Sequence, residues 1–482
     1  MDISVMTDLR FLGPALYVVA VLIMLTLVYD ERDPSTTLAW LMILIVLPGV
    51  GLVLYFFFGR NWRYLGRRNR RKLLATEHGH RIIRPAYERY AAQAAQHVHD
   101  DPLSGRLSRS IQTQNGTRIL PCSHLEIMAS GAQKFERLMF DIESAERFIH
   151  LEYFIWENDD LTAALCALLA EKVSQGVEVR VLYDWMGSLP YGKSQLRKLA
   201  AAGAQVRADA AQWRKINYRN HRKIVVVDGA VAYTGGMNVG QEYIDGGSRF
   251  ETWRDTHVRF GGPLVLELQR LFCQRWYEVT AEDLFSETYF APLPADDPPD
   301  MVWAQLATSG PESSWETIRH AFVLAISSAQ TRVWVQSPYF VPDQGVMDAL
   351  VSQSLASVDV RFMMTAHPDK KLPWWAAFSY LGTFTHAGGR AYQYDAGFFH
   401  AKAVTIDGHI AALGTANFDI RSFALHDELM IFFYDEGVAR AQDAIFEEDL
   451  ERCHMVTADD LHDRGRLFRF RNALARLASR MM

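Results

Sequence analysis

Two stretches near the start of the chain contain no Asp, Glu, Lys or Arg: residues 11–29, FLGPALYVVAVLIMLTLVY, and residues 35–59, STTLAWLMILIVLPGVGLVLYFFFG. As helices, each is long enough to cross about 30 Å of hydrocarbon. In tandem they predict a two-helix transmembrane hairpin within residues 1–72. A cleaved signal peptide fits poorly, because the leader MDISVMTDLR sets Asp2 and Asp8 against Arg10 where a basic start is needed. The connector Asp30, Glu31, Arg32, Asp33 is acidic, whereas Arg60, Arg63, Arg67, Arg68, Arg70, Arg71 and Lys72 follow the second run at once. The basic side is expected in the cytoplasm, together with the large remainder of the chain. The same cluster suits anionic lipid headgroups.

Residues 73–117 read as a linker. From about residue 118 short apolar strands alternate with helical segments, the pattern of an α/β fold. The Pro-rich, acidic APLPADDPPD at 291–300 divides this region into 118–290 and 301–460. In 461–482, Leu467, Phe470, Leu474, Leu477 and Met481 recur at helical spacing among Arg464, Arg466, Arg469, Arg471, Arg476 and Arg480. That stretch predicts a basic amphipathic helix, either lying on an anionic membrane or packed on the domain's own core.

The two α/β regions repeat one another. Each has a Ser-Gly (Ser130-Gly131, Ser309-Gly310), a helix, a strand ending in Glu152-Tyr153-Phe154 or Pro338-Tyr339-Phe340, and then a helix and another strand. The strongest match comes last: HRKIVVVDGAVAYTGGMN from His221 to Asn238 against HAKAVTIDGHIAALGTAN from His400 to Asn417, at a constant offset of 179 (400 − 221, 417 − 238). One HxKxxxxD match is expected by chance about 0.02 times in such a chain. Two in register therefore mark a duplicated unit, with the functional site between its copies.

Composition narrows the class. The 482 residues are 49% hydrophobic and carry a formal charge of -6, enough for a large core and the wrong sign for a surface built around nucleic acid. Four well-separated cysteines, Cys122, Cys166, Cys273 and Cys453, read as reduced and buried. The pairs His78 and His80, and His97 and His99, have no adjoining ligand set for a metal.

A histidine and a lysine two apart on an extended chain face the same side. Such a pair suits an anion: the imidazole of His221 or His400 can attack phosphorus or move a proton, while Lys223 or Lys402 and the amide of Asn238 or Asn417 hold non-bridging oxygens. Two converging sets put a nucleophile and a general acid on opposite sides of one phosphorus. The downstream acids Asp255 and Glu428, one in each half, are placed to accept a hydrogen bond from a histidine. Asp228 and Asp407 complete the motif, but their place at a turn favours a structural role.

At these residues the chain resembles the phospholipase D superfamily, whose duplicated HxKxxxxD motif it carries with GGMN and GTANFD. LEYFIW, YDWMGS, YRNHRKIVVVDG, SPYFVPD and the two-span start are similar to the bacterial cardiolipin synthases within it. The resemblance implies two α/β sandwich half-domains related by a pseudo-two-fold axis. It also implies transfer of a phosphatidyl group from one phosphatidylglycerol to another through a phosphohistidine, without metal or cofactor, at the bacterial inner membrane. Carried over, His221 and His400 are nucleophile and acid/base within the catalytic set Lys223, Asp228, Lys402 and Asp407. Asn238, Asn417 and Thr415 bind phosphate, and Asp255 and Glu428 orient the histidines. Thr415 has Gly236 as its counterpart, so the halves are chemically unequal. A phospholipase-type hydrolase, or a transferase using phosphatidylethanolamine as donor, is the alternative; self-association is left open.

Overall fold

The computed structural model describes residues 3–29, 34–59, 70–99, 101–209, 217–297, 300–457, 460–461 and 465–479. Two β-sheets of matching order form its centre. In the first half Gln205–Asp209, Glu178–Asp184 and Phe148–Tyr153 pair in parallel, and the sheet continues antiparallel through Ile224–Val227, Val231–Gly235, Trp253–Gly261 and Leu120–Ser130. The second half repeats this with Arg390–Tyr394, Asp359–Thr365, Arg332–Gln336, Ala403–Ile406, Ile410–Gly414, His426–Tyr434 and Val302–Ser309, adding Cys453–Val456 at the edge.

Both faces of each sheet are covered, so the central strands are buried throughout rather than alternating; FIHLEY at 148–153 is buried at every position, His150 and Glu152 included. In the first half Leu138, Leu165 and Leu169 of the helices Gly131–Glu143 and Asp160–Ser174 pack with Ile149, Leu151 and Val225. Leu268 and Phe272 of Val265–Thr280 meet Phe148, Leu182 and Val226 on the other face. The halves are not separable at the Pro-rich stretch. Leu120–Ser130 pairs with Val302–Ala304 through its first three residues and with the strand Trp253–Gly261 through the rest, joining the two sheets.

The described residues of 73–117, expected to be a linker, instead lie largely in the helices Arg70–His99 and Pro102–Asn115. Ile83, Ala86, Tyr87, Tyr90, Ala94, Leu107 and Ile111 enter the core. Their spacing of three and four residues makes this a buried helical face, so the segment belongs to the catalytic body.

The N-terminal part also differs from expectation. A helix covers Ile3–Tyr29, but the second apolar run is bent, with Pro34–Val46 followed by Pro48–Leu54 and a wide turn at Tyr55–Gly59. Pro48 has no N–H to continue the helical ladder. The bend brings Gly51 against the Ile43 carbonyl, where a Cβ would lie 2.9 Å from the oxygen. Leu27, Trp40, Leu44 and Tyr55 pack together around it. Among the described residues, with side chains described from Leu16 onward in the first helix, no helix is long and apolar enough to cross a membrane. The connector 30–33 and Arg60, Arg63, Arg67 and Arg68 lie outside the described residues.

Asp228 and Asp407, which the motif groups with the catalytic set, stand at turns with φ of 54° in both copies. The Asp228 carboxylate accepts hydrogen bonds from the backbone N–H groups of Glu146, Arg147 and Phe148 at 2.8 Å. Asp407 does the same for Gln330, Thr331 and Arg332. These carboxylates are spent on backbone donors at the start of the neighbouring strand. They fix the turn and take no part in the histidine pair.

Candidate active site

Each motif histidine leaves its own half to meet the other. The short strand Arg219–Asn220 pairs in parallel with His426–Asp427 of the second half, and the His221 N–H donates to the Asp427 carbonyl at 3.0 Å. Reciprocally, Phe398–Phe399 pairs with Trp253–Arg254 of the first half, and the His400 N–H donates to the Arg254 carbonyl at 2.8 Å. These exchanged strands lead straight into the two histidines.

The side chains repeat the exchange. His221 Nδ1 lies 2.9 and 3.1 Å from the Glu428 carboxylate oxygens, and His400 Nδ1 lies 2.8 Å from Asp255 Oδ2. The sequence placed one acid in each half without saying which histidine it serves; the structure pairs them across the halves. A carboxylate only accepts, so Nδ1 donates to it and Nε2 presents its lone pair; at His400 the Lys402 Nζ also lies 2.7 Å from Nδ1. Asp255 and Glu428 are fully buried, and burial alone would raise the Asp255 carboxyl; the Lys402 ammonium and His400 hold it below its ordinary value instead.

The lysines lie behind the rings. Lys223 Nζ donates to the His221 carbonyl at 2.7 Å, while Lys402 Nζ contacts the His400 carbonyl and sits 3.6 Å from Asp255 Oδ2. Burial pushes Lys223 down to about 7, against the opposing pull of Glu428, and Lys402 down to about 8, against Asp255. Burial also lowers both histidines. His400 falls to about 4, with Lys402 adding to burial and Asp255 opposing it; His221 falls well below its ordinary value, with Lys223, Lys402, His400 and Lys370 all adding to burial. Both rings are neutral near pH 7.

The remaining motif positions behave unequally. Both ends of the Asn238 amide are occupied, its Oδ1 accepting from the Ile155 N–H and its Nδ2 donating to Tyr243 Oη. The Asn417 Oδ1 has no partner. Thr415, expected to bind phosphate, instead donates its hydroxyl to Glu428 Oε2 at 2.5 Å and accepts from the Leu429 N–H. Its counterpart Gly236 lies directly beneath Asp255, where a Cβ would be 2.0 Å from Oδ1. The Gly/Thr difference thus follows the acids: the shorter Asp255 packs onto bare backbone, and the longer Glu428 is held by a hydroxyl.

Aromatic side chains surround the rings. Phe154 meets His221 edge-on at 4.8 Å between centroids, while Trp253 and Phe398 flank His400. His426 lies 5.7 Å from His221 between centroids, with neither ring nitrogen bonded. Its counterpart by register is Trp253, so comparison of the repeats gave no signal for it. At the rim, Asp369 accepts from Tyr339 Oη at 2.6 Å and its charge reaches His400, and Lys370 acts on His221. Among the described residues the one group placed to hold a metal ion is His221, His426 and Glu428, with ligand atoms within 4.8 Å of one another. Of the histidines named near the N-terminus, His78 meets Asp283 and His97 the Tyr434 carbonyl.

A family model described as "Cardiolipin synthase, PLD-like domain" matches residues 138–273 and 322–450, and another described as "Phospholipase_D-nuclease N-terminal" matches 14–60. The major cardiolipin synthase of Bacillus subtilis is 35% identical over 96% of this chain and 97% of its own length. This chain belongs to the cardiolipin synthase family of phospholipase D-like phosphatidyltransferases. The cardiolipin synthase of Oceanobacillus iheyensis is 34% identical over the same shares. Among solved structures, the phosphatidylserine synthase of Haemophilus influenzae superposes with a TM-score of 0.58 at 15% identity, covering 78% of this chain and 97% of its own, which supports the two-half fold alone.

The lowered lysines make anion binding pH-dependent. Below about 7 both ammonium groups are present, and above about 8 each must regain a proton before it can hold an anion. Sulfate keeps its charge over this range. Its inhibition constant against turnover is expected to rise at least about tenfold from pH 6.5 to 9. A constant that stays flat to pH 9 would mean that both lysines titrate normally.

Proposed function

We propose that the enzyme transfers the phosphatidyl group of one phosphatidylglycerol to the terminal hydroxyl of another, forming cardiolipin and releasing glycerol. The observation that carries this reading is the pair of imidazoles, each fixed by a carboxylate from the opposite half and backed by a lysine. His221 Nε2 attacks phosphorus, the bond from phosphorus to the glycerol oxygen breaks, and His400 gives that oxygen a proton. The incoming hydroxyl of the second lipid then loses its proton to His400 and displaces His221. Such a sequence needs two groups with unlike proton affinities. His400, whose proton Asp255 and Asp369 favour, is the better proton carrier, whereas the cations Lys223, Lys402 and Lys370 favour the neutral form of His221. The phosphodiester anion favours an imidazolium beside it, so the proton on His400 arrives with substrate.

Lys223 and Lys402 hold the non-bridging oxygens, and the Asn417 amide joins them through its Nδ2–H donors. The reaction is metal-independent in this reading, because the lysine charges acting on His221, those of Lys223, Lys402 and Lys370, oppose a cation beside it. Exchange of one phosphodiester for another is close to neutral, so no nucleotide is required. Phe154, Trp253 and Phe398 around the rings limit the entry of water.

Residues 11–59 anchor the chain in the bacterial cytoplasmic membrane as a hairpin whose second span is bent at Pro48, a feature membrane helices tolerate. The connector faces outward and the catalytic body the cytoplasm, as the basic cluster after Gly59 requires. An engineered cysteine near Asp30 should react with an impermeant reagent on intact cells, and one near Arg67 should not; the opposite pattern would reverse the topology.

Purified enzyme given phosphatidylglycerol alone should form cardiolipin and glycerol in the presence of chelator. Mass spectrometry should place a trapped adduct on His221, and His221→Ala or His400→Ala should lower turnover about 100 to 10,000-fold. Phosphatidic acid as the main product would make the enzyme a hydrolase. A requirement for phosphatidylethanolamine would change the donor, and an adduct on His400 would reverse the two roles.

A further inference from the structure

The C-terminal helix Gly465–Ser479 is packed the wrong way round for a helix that only completes a core. Its apolar residues Leu467, Phe470, Leu474 and Leu477 are 82%, 62%, 50% and 68% exposed, while Asn472 and Ala475 are each 3% exposed. The helix is held to Lys371–His386 by other means. Phe468 meets Phe378 edge-on, the Arg471 guanidinium lies 4.7 Å over the Trp375 ring, and that of Arg476 lies 4.9 Å over the Tyr380 ring. Phe468 apart, small and polar residues therefore face the protein, and the large apolar ones face away. The sequence allowed either a membrane-facing or a core-facing apolar stripe, and burial of that stripe in the core is overturned.

The exposed stripe is bordered by positive charge. Arg466 and Arg469 are exposed beside it, and residues 465–482 contain no Asp or Glu. We propose that this face is a docking surface for an anionic lipid bilayer, seating the catalytic body on the membrane through its C-terminal helix in addition to the N-terminal hairpin. Apolar side chains enter the boundary between headgroups and acyl chains while flanking arginines meet the phosphates. A second copy of the chain is the poorer occupant: an isologous contact would set arginine-rimmed faces of one sign against each other. Docking also bears on the site, because Lys371–His386 begins next to Lys370 at its rim. Seating the helix brings that rim to the lipid surface.

This surface goes beyond the proposed reaction, and an assay with two substrates separates them. Full-length enzyme carrying Leu467→Asp and Leu474→Asp, both at exposed positions, is compared with wild type on detergent-dispersed short-chain phosphatidylglycerol and on reconstituted vesicles rich in long-chain phosphatidylglycerol. Turnover of the dispersed substrate should be unchanged, and turnover in vesicles should fall at least about fivefold. An environment-sensitive dye on Leu477→Cys, in a Cys453→Ser background that removes the one native cysteine not fully buried, should shift to the blue in anionic vesicles and not in phosphatidylcholine vesicles. Equal vesicle activity in variant and wild type would overturn the proposal. So would an equal loss on both substrates, which indicates a structural role, or a dye shift that follows protein concentration, which indicates a second copy. Inactivity of wild type on both substrates would instead count against the reaction itself.

Discussion

Everything at this site depends on the hydrogen bond between each histidine and a carboxylate that belongs to the other half. A buried imidazole can point either nitrogen at substrate, and only a fixed partner on Nδ1 keeps Nε2 free as the reacting atom. Here Glu428 serves His221 and Asp255 serves His400. Neither half alone carries a histidine together with its orienting acid. The exchanged strands Arg219–Asn220 and Phe398–Phe399 and the shared strand Leu120–Ser130 lock the halves at the spacing those bonds require.

Duplication followed by divergence accounts for the chemical asymmetry. The acids differ by one methylene, and the residue beneath each differs to match: Gly236 where Asp255 packs on backbone, Thr415 where Glu428 takes a hydroxyl. Beyond them, Trp253 stands against His400 where His426 stands against His221. The two rings therefore have different surroundings although the motifs around them are nearly identical. A reaction in which one histidine attacks and the other moves a proton needs that difference.

Much of this was legible in the sequence, because a duplicated motif fixes strand order, the turn at Asp228 and Asp407, and the two histidines at once. The cross-pairing was not. Asp255 and Glu428 follow their own histidines along the chain, and only the tertiary exchange of strands reassigns them. His426 was invisible for a related reason, since a residue whose counterpart in the other copy, Trp253, is of another type does not stand out from a repeat. The helix Arg70–His99 could have been found: Ile83, Ala86, Tyr87, Tyr90 and Ala94 show helical spacing that the nearby charges obscured. In the C-terminal helix the apolar stripe was correct and its exposure was undecided, because periodicity identifies a face without saying what covers it.

The crossed pairing is tested most directly with an aryl phosphodiester, whose good leaving group departs without an acid, so that the burst of released phenolate reports attack by His221 alone. Glu428→Gln, which removes the carboxylate from His221, should slow that burst about 100-fold, and Asp255→Asn should slow it less than about tenfold. With the trapped adduct on His221, the reverse order, with Asp255→Asn the damaging change, would mean that each histidine is served by the acid of its own half and would contradict the account.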